Sequence, residues 1–194
     1  MKRRVFDVIV SFTGVGLAVV LLIAGGLLTW ANHFTDNEVH NQLAAQQIQF
    51  PAANSSSIKE LPPADAAAMR KYAGQQLTTG AQAETWADHF IAVHVAKMSG
   101  GKTYDQLSSE SLADPGNTQL AGLVDTVFKG EALRGMLLNA YAFGTLGTIA
   151  GIASWIAYAA GVLLLALGGL GLWHSRRVPD SEEVLEHHQH PAKI

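Results

Sequence analysis

Two long stretches of the sequence carry no charged side chain. Residues 8–30 follow a basic start (Lys2-Arg3-Arg4), and residues 135–173 precede a basic pair (Arg176-Arg177). The hydrocarbon core of a bilayer, about 30 Å thick, is crossed by about 20 apolar residues in a helix that rises about 1.5 Å per residue. Both stretches are long enough, so the sequence predicts a two-pass, all-α membrane protein.

The flanking basic residues predict the orientation, because Lys and Arg next to a span tend to stay in the cytoplasm. Both termini are then cytoplasmic in the plasma membrane. A cleaved signal peptide is disfavoured, since the first stretch exceeds the usual h-region of about 7–15 residues and Trp30 suits a cleavage site poorly. The predicted segments are a cytoplasmic N-terminus (1–7), a first transmembrane helix (8–30), a helical extracytoplasmic segment (31–134), an outer helix leading into the membrane (135–149), a second transmembrane helix (150–173) and a cytoplasmic polar tail (174–194).

The extracytoplasmic segment is acidic and lacks cysteine. It holds seven Lys or Arg against eleven Asp or Glu, a net charge of −4. Nothing in the chain is basic enough to suggest nucleic acid. Because no disulfide can form, we expect the segment to rely on a modest core, on the membrane surface or on partner proteins.

Local signals predict helices throughout this segment. Thr35-Asp36-Asn37-Glu38 has the form of a capping box and predicts a helix start at Thr35, as do Thr79 with Gln82 and Asp114-Pro115. Gly100-Gly101 is typical of a helix end. A short helix is expected at 64–72, another turn at 103–106, and a last helix from near Glu131 that merges into the second span.

Small residues recur at helical spacing in both spans. Close backbone approach through small residues is what makes helices associate in lipid. We therefore predict helix packing, either between the two spans or with a partner helix, through two sets of residues. They are Gly14, Ala18 and Gly25 in the first span, and Gly147, Gly151, Ser154 and Gly161 in or just before the second.

Two groups of histidines are weighed as metal sites. His33, Asp36 and His40 would share one face of a continuous helix, and two histidines with a carboxylate can hold iron or zinc. The predicted start at Thr35 would break that helix. A second cluster (His187, His188 and His190) lies in the polar tail, where weak metal binding is an alternative to a simple flexible tail. We predict no metal and no cofactor.

Other catalytic patterns fail on spacing. Gly101-Lys102-Thr103 resembles the end of a phosphate-binding loop, but Ala96 stands where the pattern needs glycine. His89 and His94 are five apart, too far round a helix for one metal. Glu84 and Asp88 are interpreted as a solvated helix face.

A series of short motifs runs through residues 2–177. It comprises Ala45-Gln46-Gln47-Ile48 with Phe50-Pro51, Tyr72-Ala73-Gly74 with Leu77-Thr78-Thr79-Gly80, Gln82-Ala83-Glu84, Ser99-Gly100-Gly101-Lys102-Thr103-Tyr104, and Phe128-Lys129-Gly130-Glu131 with Leu133-Arg134-Gly135. In this series the chain resembles a family of small actinobacterial two-pass membrane proteins, often labelled aromatic ring-opening dioxygenase. Members carry two cysteines near the positions of Met69 and Thr85, both absent here. The resemblance therefore implies that the Met69 region packs near the Thr85 helix.

The dioxygenase label conflicts with the residues available. Extradiol ring cleavage needs ferrous iron held by two histidines and a carboxylate. The only trio on offer is His33, Asp36 and His40, beside the membrane. We therefore predict a non-catalytic envelope protein that contacts the bilayer and other membrane or envelope proteins, or itself, as an accessory subunit. The alternative is a metal-dependent enzyme or metal-handling membrane protein.

Overall fold

The computed structural model describes residues 3–177, and within them the chain is helical apart from turns and one isolated antiparallel bridge between Gln49 and Gln76. Two helices are long and apolar enough to cross a membrane. The helices are α1 (Arg3–Ala45), α2 (Ser56–Lys59), α3 (Pro63–Arg70), α4 (Gly80–Trp86), a π turn (Ala87–Ile91), α5 (Ala92–Ser99), α6 (Tyr104–Ala113) and α7 (Thr118–Ser175).

The chain forms two compact units. The helical unit combines the described parts of 1–31 and 149–194, and the outer unit comprises residues 32–148. In the helical unit, small and polar side chains such as Ala18, Ser11 and Ser154 are buried, whereas large apolar side chains point outward. This is the reverse of a water-soluble helix pair, in which the large apolar residues face the partner helix.

The outer unit has a conventional apolar core. Phe50 occupies its centre, with ring centroids 5.4 Å from Tyr72 and 5.0 Å from Trp86. The hydrogen bond from Phe50 N–H to Gln75 O holds this segment against the chain before α4. The largest fully buried side chains are Phe50, Ile58, Met69, Leu77, Leu107 and Val127.

The predicted cap at Thr79 and the predicted helix end at Gly100 are confirmed, and a helix begins where a turn was expected at 103–106. Thr79 caps α4 and Thr103 caps α6, each in a complete capping box with the glutamine three residues on. Gly100 ends α5 in the left-handed conformation, with φ 63°. The helix that Thr103 begins is longer than the single turn expected, and the helix expected at 64–72 runs from Pro63 to Arg70.

The predicted helix start at Thr35 is wrong, because α1 continues unbroken to Ala45. This part of α1 packs on α7 instead: Asn32 donates a hydrogen bond to Gly147 O, and Thr35 Cβ lies against Gly147. Tertiary packing therefore holds this stretch helical, which a local signal cannot reveal.

The start predicted at Asp114-Pro115 is displaced. These residues form a turn, and α7 begins at Thr118, where the Asn117 side chain accepts a hydrogen bond from Leu120 N–H at 2.9 Å. No new helix begins near Glu131. Instead α7 runs as one helix of 58 residues.

Contacts between α3 and α4 agree with the packing implied by the family resemblance. Met69 is fully buried in the core that also contains Ala83 and Ala87, and α3 contacts both α4 and the π turn. The region of Met69 thus packs against the helix that carries Thr85.

Candidate interaction surfaces

In the helical unit, α1 and α7 meet along a line of close contacts, which we call the seam, where glycines of one helix face side chains of the other. A Cβ placed on Gly25 would lie 2.8 Å from the ring of Tyr158, and one placed on Gly161 would lie 3.0 Å from Leu22. Ala18 is fully buried, and its carbonyl faces Gly161. Since no larger residue fits at either glycine without displacing its neighbour, this part of the small-residue pattern lies at the contact between the two helices.

One hydrogen bond crosses this seam. Tyr158 Oη and Thr29 Oγ1 are 3.2 Å apart, and the Thr29 hydroxyl also lies 2.9 Å from Gly25 O in its own helix. Hydroxyls that bond to a carbonyl one turn earlier satisfy their polarity without water, as apolar surroundings require.

The remaining small residues are placed differently. Ser154 is buried, and its hydroxyl donates to Gly151 O at 2.7 Å, while Gly151 is half-buried. Gly147 belongs to the outer unit, where Thr35 and Asp36 contact it. Gly14 has no atom within 4 Å of its Cβ position, so it lies outside the seam.

The sequence reasoning missed Gly168. Its Cβ position lies 2.8 Å from Val15 and 3.1 Å from Ser11 O, which makes it the tightest backbone contact of the seam. Gly168 follows Gly161 by seven residues, so the same helical spacing, extended one step, would have identified it.

In the outer unit α4 begins directly on α7. A Cβ on Gly80 would lie 3.2 Å from both Ala140 O and Tyr141 Cα, and Gly144 faces the Gly80 backbone. Beside this contact an open cleft of about 490 Å³ is lined by Asp36 and His40 from α1 and by Tyr141 from α7, among others. Its lining mixes polar and apolar side chains, and the contact between α4 and α7 beside it depends on glycine.

A second depression, which we call the α1–α7 groove, lies between these helices in the outer unit. Its two connected parts, of about 270 and 350 Å³, share Gln42, Met136, Asn139 and Ala140. Met136 and Phe143 line it and are 68% and 60% exposed, and buried Val39 forms part of its wall. Apolar side chains of this size that are more than half exposed are typical of an interaction surface.

The π turn positions two side-chain contacts with other helices. Ala92 N–H donates to Ala87 O, five residues back, and this wider turn carries Asp88 and His89. Asp88 accepts from Arg134 Nη2 at 2.9 Å, while His89 Nδ1 lies 2.7 Å from Asp65 Oδ1. π turns are frequent where a helix serves a special structural or functional purpose.

The Asp88 contact corrects the interpretation of this residue as part of a solvated face. The hydrogen bond with Asp88 raises the pKa of the Arg134 guanidinium above its ordinary value, although burial acts to lower this pKa. The partner lies 46 residues away along the chain. A solvated helix face and a long-range ion pair look alike in sequence, so only the fold could reveal it.

Within the part of the chain that the structure describes, the residues considered for metal binding do not assemble a site. α1 is continuous, so His33, Asp36 and His40 do share one helix, yet all three are exposed. Within residues 3–177 no group of three His, Cys, Asp or Glu side chains could hold a metal ion. The cluster at His187, His188 and His190 lies outside the described residues.

The Gly101-Lys102-Thr103 motif has a structural use. Lys102 Nζ donates to both carboxylate oxygens of Glu110 at 2.7 Å, and Thr103 caps α6. Helix α5, rather than a strand, precedes it. The motif therefore begins a helix.

Comparison of the chain with protein-family models, with curated proteins and with solved structures gave no match. The resemblance to the actinobacterial family therefore remains a prediction from the motifs quoted above.

Proposed function

We propose that this chain is an integral protein of the plasma membrane that crosses the bilayer twice and serves, without catalysis, as an accessory or interaction subunit of a complex in the cell envelope. In this proposal residues 8–30 and 150–173 span the bilayer, both termini are cytoplasmic and residues 31–134 are extracytoplasmic.

The observation that carries the proposal is the outward apolar surface of the helical unit. On α1, Phe12 and Leu27 are 62% and 64% exposed, and on α7 Trp155 and Ile156 are 76% and 65% exposed. Soluble monomers rarely expose contiguous apolar patches beyond a few hundred Å². Lipid is the environment in which outward apolar side chains and an inward seam of small residues are both favourable.

Residues at the helix ends support the orientation. The guanidinium of Arg177 lies 4.1 Å from the centroid of the Trp173 ring. Tryptophan favours the membrane interface, and basic residues favour its cytoplasmic side. Arg3 and Arg4 lie at the start of α1. Basic residues therefore stand next to both proposed spans, as expected for two cytoplasmic termini.

The outer unit supports an interaction role. Several of its charged residues form pairs that connect helices or helix turns, such as Arg134 with Asp88 and Lys102 with Glu110. Four of its large exposed apolar side chains line the α1–α7 groove: Phe34, Leu133, Met136 and Phe143. The groove therefore offers a partner an apolar surface, as in many protein interfaces.

The proposal is tested by fractionation of the native host. The protein should remain in the membrane pellet after alkaline carbonate washing, and in mild detergent it should migrate well above its own 20.6 kDa together with other envelope proteins. Release by carbonate would overturn the membrane assignment. Migration as a single copy, after correction for bound detergent, would overturn the role as a subunit.

A further inference from the structure

The α1–α7 groove is largely apolar, yet it also contains a carboxylate, which makes lipid an unfavourable covering for it. Glu38 lines the groove together with Met136 and Phe143. Carboxylates are strongly disfavoured in hydrocarbon. Because Glu38 stands beside these apolar α7 residues, the groove lies in water or against protein.

Exposure of Met136 and Phe143 to water is itself unfavourable. Both belong to the uncharged run that begins at Gly135, yet they lie in the outer unit, before the proposed crossing at 150–173. Apolar area contributes about 25 cal/mol per Å² when it leaves water. A protein partner is therefore the occupant that these side chains favour.

The charge of the groove distinguishes between kinds of partner. Among the described residues that line it, Glu38 is the one ionisable side chain, and Gln42 Nε2 donates to it at 2.5 Å. A second copy related by a two-fold axis along the membrane normal would bring Glu38 to the same depth as its counterpart. Like charges at an interface are unfavourable, and the outer segment as a whole already carries −4.

We propose that the groove binds one apolar helix of a different envelope protein, and that this helix carries a lysine or arginine opposite Glu38. The inference rests on the proposed membrane function and adds the chemistry of the partner. The groove runs lengthwise between α1 and α7, since its lining residues recur at helical spacing along both helices, and an apolar groove of this kind is what helix-in-groove recognition uses.

The test uses the full chain in its native host. A photoreactive p-benzoylphenylalanine replaces Phe143 in the groove or, as the matched control, Leu112, which is 79% exposed on α6 outside the groove. Irradiation should join the Phe143 variant, and not the Leu112 variant, to a distinct protein. Mass spectrometry of the joined peptide should place the adduct in an apolar helix with a basic residue.

Charge exchange then tests the chemistry. Glu38→Lys should lower the adduct yield at least about tenfold and Glu38→Gln about threefold, because a like charge is repelled and a neutral amide merely loses an attraction. Replacing the partner's basic residue by glutamate should restore the yield with Glu38→Lys. Both Glu38 variants should fold, since this side chain is exposed.

Four results would overturn the inference: an adduct between two copies of this chain, an adduct with lipid, an adduct unaffected by Glu38→Lys, or no adduct at all. Carbonate washing of the same cells separates this failure from failure of the membrane assignment. A protein that stays in the membrane pellet but gives one of these four results retains the assignment and loses the partner.

Discussion

Replacing Gly80 by alanine should destabilise the outer unit, although alanine favours helices. The new Cβ would lie 3.2 Å from Ala140 O, 3.2 Å from Tyr141 Cα and 3.4 Å from Tyr141 O. The contact with Tyr141 Cα is closer than the separation of about 3.5–4.0 Å that non-bonded carbon atoms prefer. All three neighbours are backbone atoms of α7, which cannot rotate away as a side chain could, so α4 must shift.

The expected magnitude follows from two opposing terms. Overpacking of this kind costs about 1–3 kcal/mol, whereas exchanging glycine for alanine in a helix gains about 0.5–1 kcal/mol. With the middle of both ranges, the net loss in the free energy of unfolding is about 1 kcal/mol, which lowers Tm by about 4 °C in a domain of this size. Gly135→Ala is the matched control: it lies in α7 with nothing within 4 Å, and should raise stability.

Because the chain lacks cysteine, a single Ala87→Cys provides the assay. Ala87 is fully buried, so the thiol should react with a maleimide only when the outer unit opens. Labelling is followed against temperature for the detergent-purified protein and both glycine variants. An unchanged or raised midpoint for Gly80→Ala, or an equal loss for Gly135→Ala, would refute the close contact between α4 and α7.

Three further outcomes are expected. Met69→Cys with Thr85→Cys should oxidise to a disulfide visible as a mobility shift on a non-reducing gel, and persistent free thiols would count against the alignment with the cysteine-bearing family. Arg134→Met should cost at most about 1 kcal/mol in denaturant titration, because its pair with Asp88 is about a third exposed. This contribution should persist across neutral pH, since a raised arginine pKa loses its effect only at strongly alkaline pH. A loss between about pH 6 and pH 9 would contradict it. Metal analysis of the purified protein should find no stoichiometric iron or zinc, and a metal lost on His40→Ala would revive the metal-dependent alternative.

Features set by neighbouring residues could be read from the sequence. The capping boxes at Thr79 and Thr103 satisfy N–H groups within the same turn, so the residues that make these helix starts all lie within a short stretch of sequence. Gly100 similarly ends α5 through its own backbone freedom. The two long apolar helices follow from the lengths of the uncharged runs.

Features that depend on residues distant along the chain could not be predicted from the sequence. Thr35 has the same pattern as a cap, yet it is packed against Gly147, 112 positions along the chain, and the helix continues through it. The π turn at 87–91 and the pair of Asp88 with Arg134 depend on packing against other helices. The α1–α7 groove likewise exists only because two separate parts of the chain lie side by side.

Thiol labelling in intact cells tests the central claim, a two-pass membrane protein with both ends in the cytoplasm. Single cysteines replace Ser56, which is exposed at the start of α2, and Ser181 in the C-terminal tail. With a membrane-impermeant maleimide, Ser56→Cys should label in intact cells, and Ser181→Cys should label only after the membrane is permeabilised. Labelling of Ser181→Cys in intact cells, or protection of Ser56→Cys, would contradict the account.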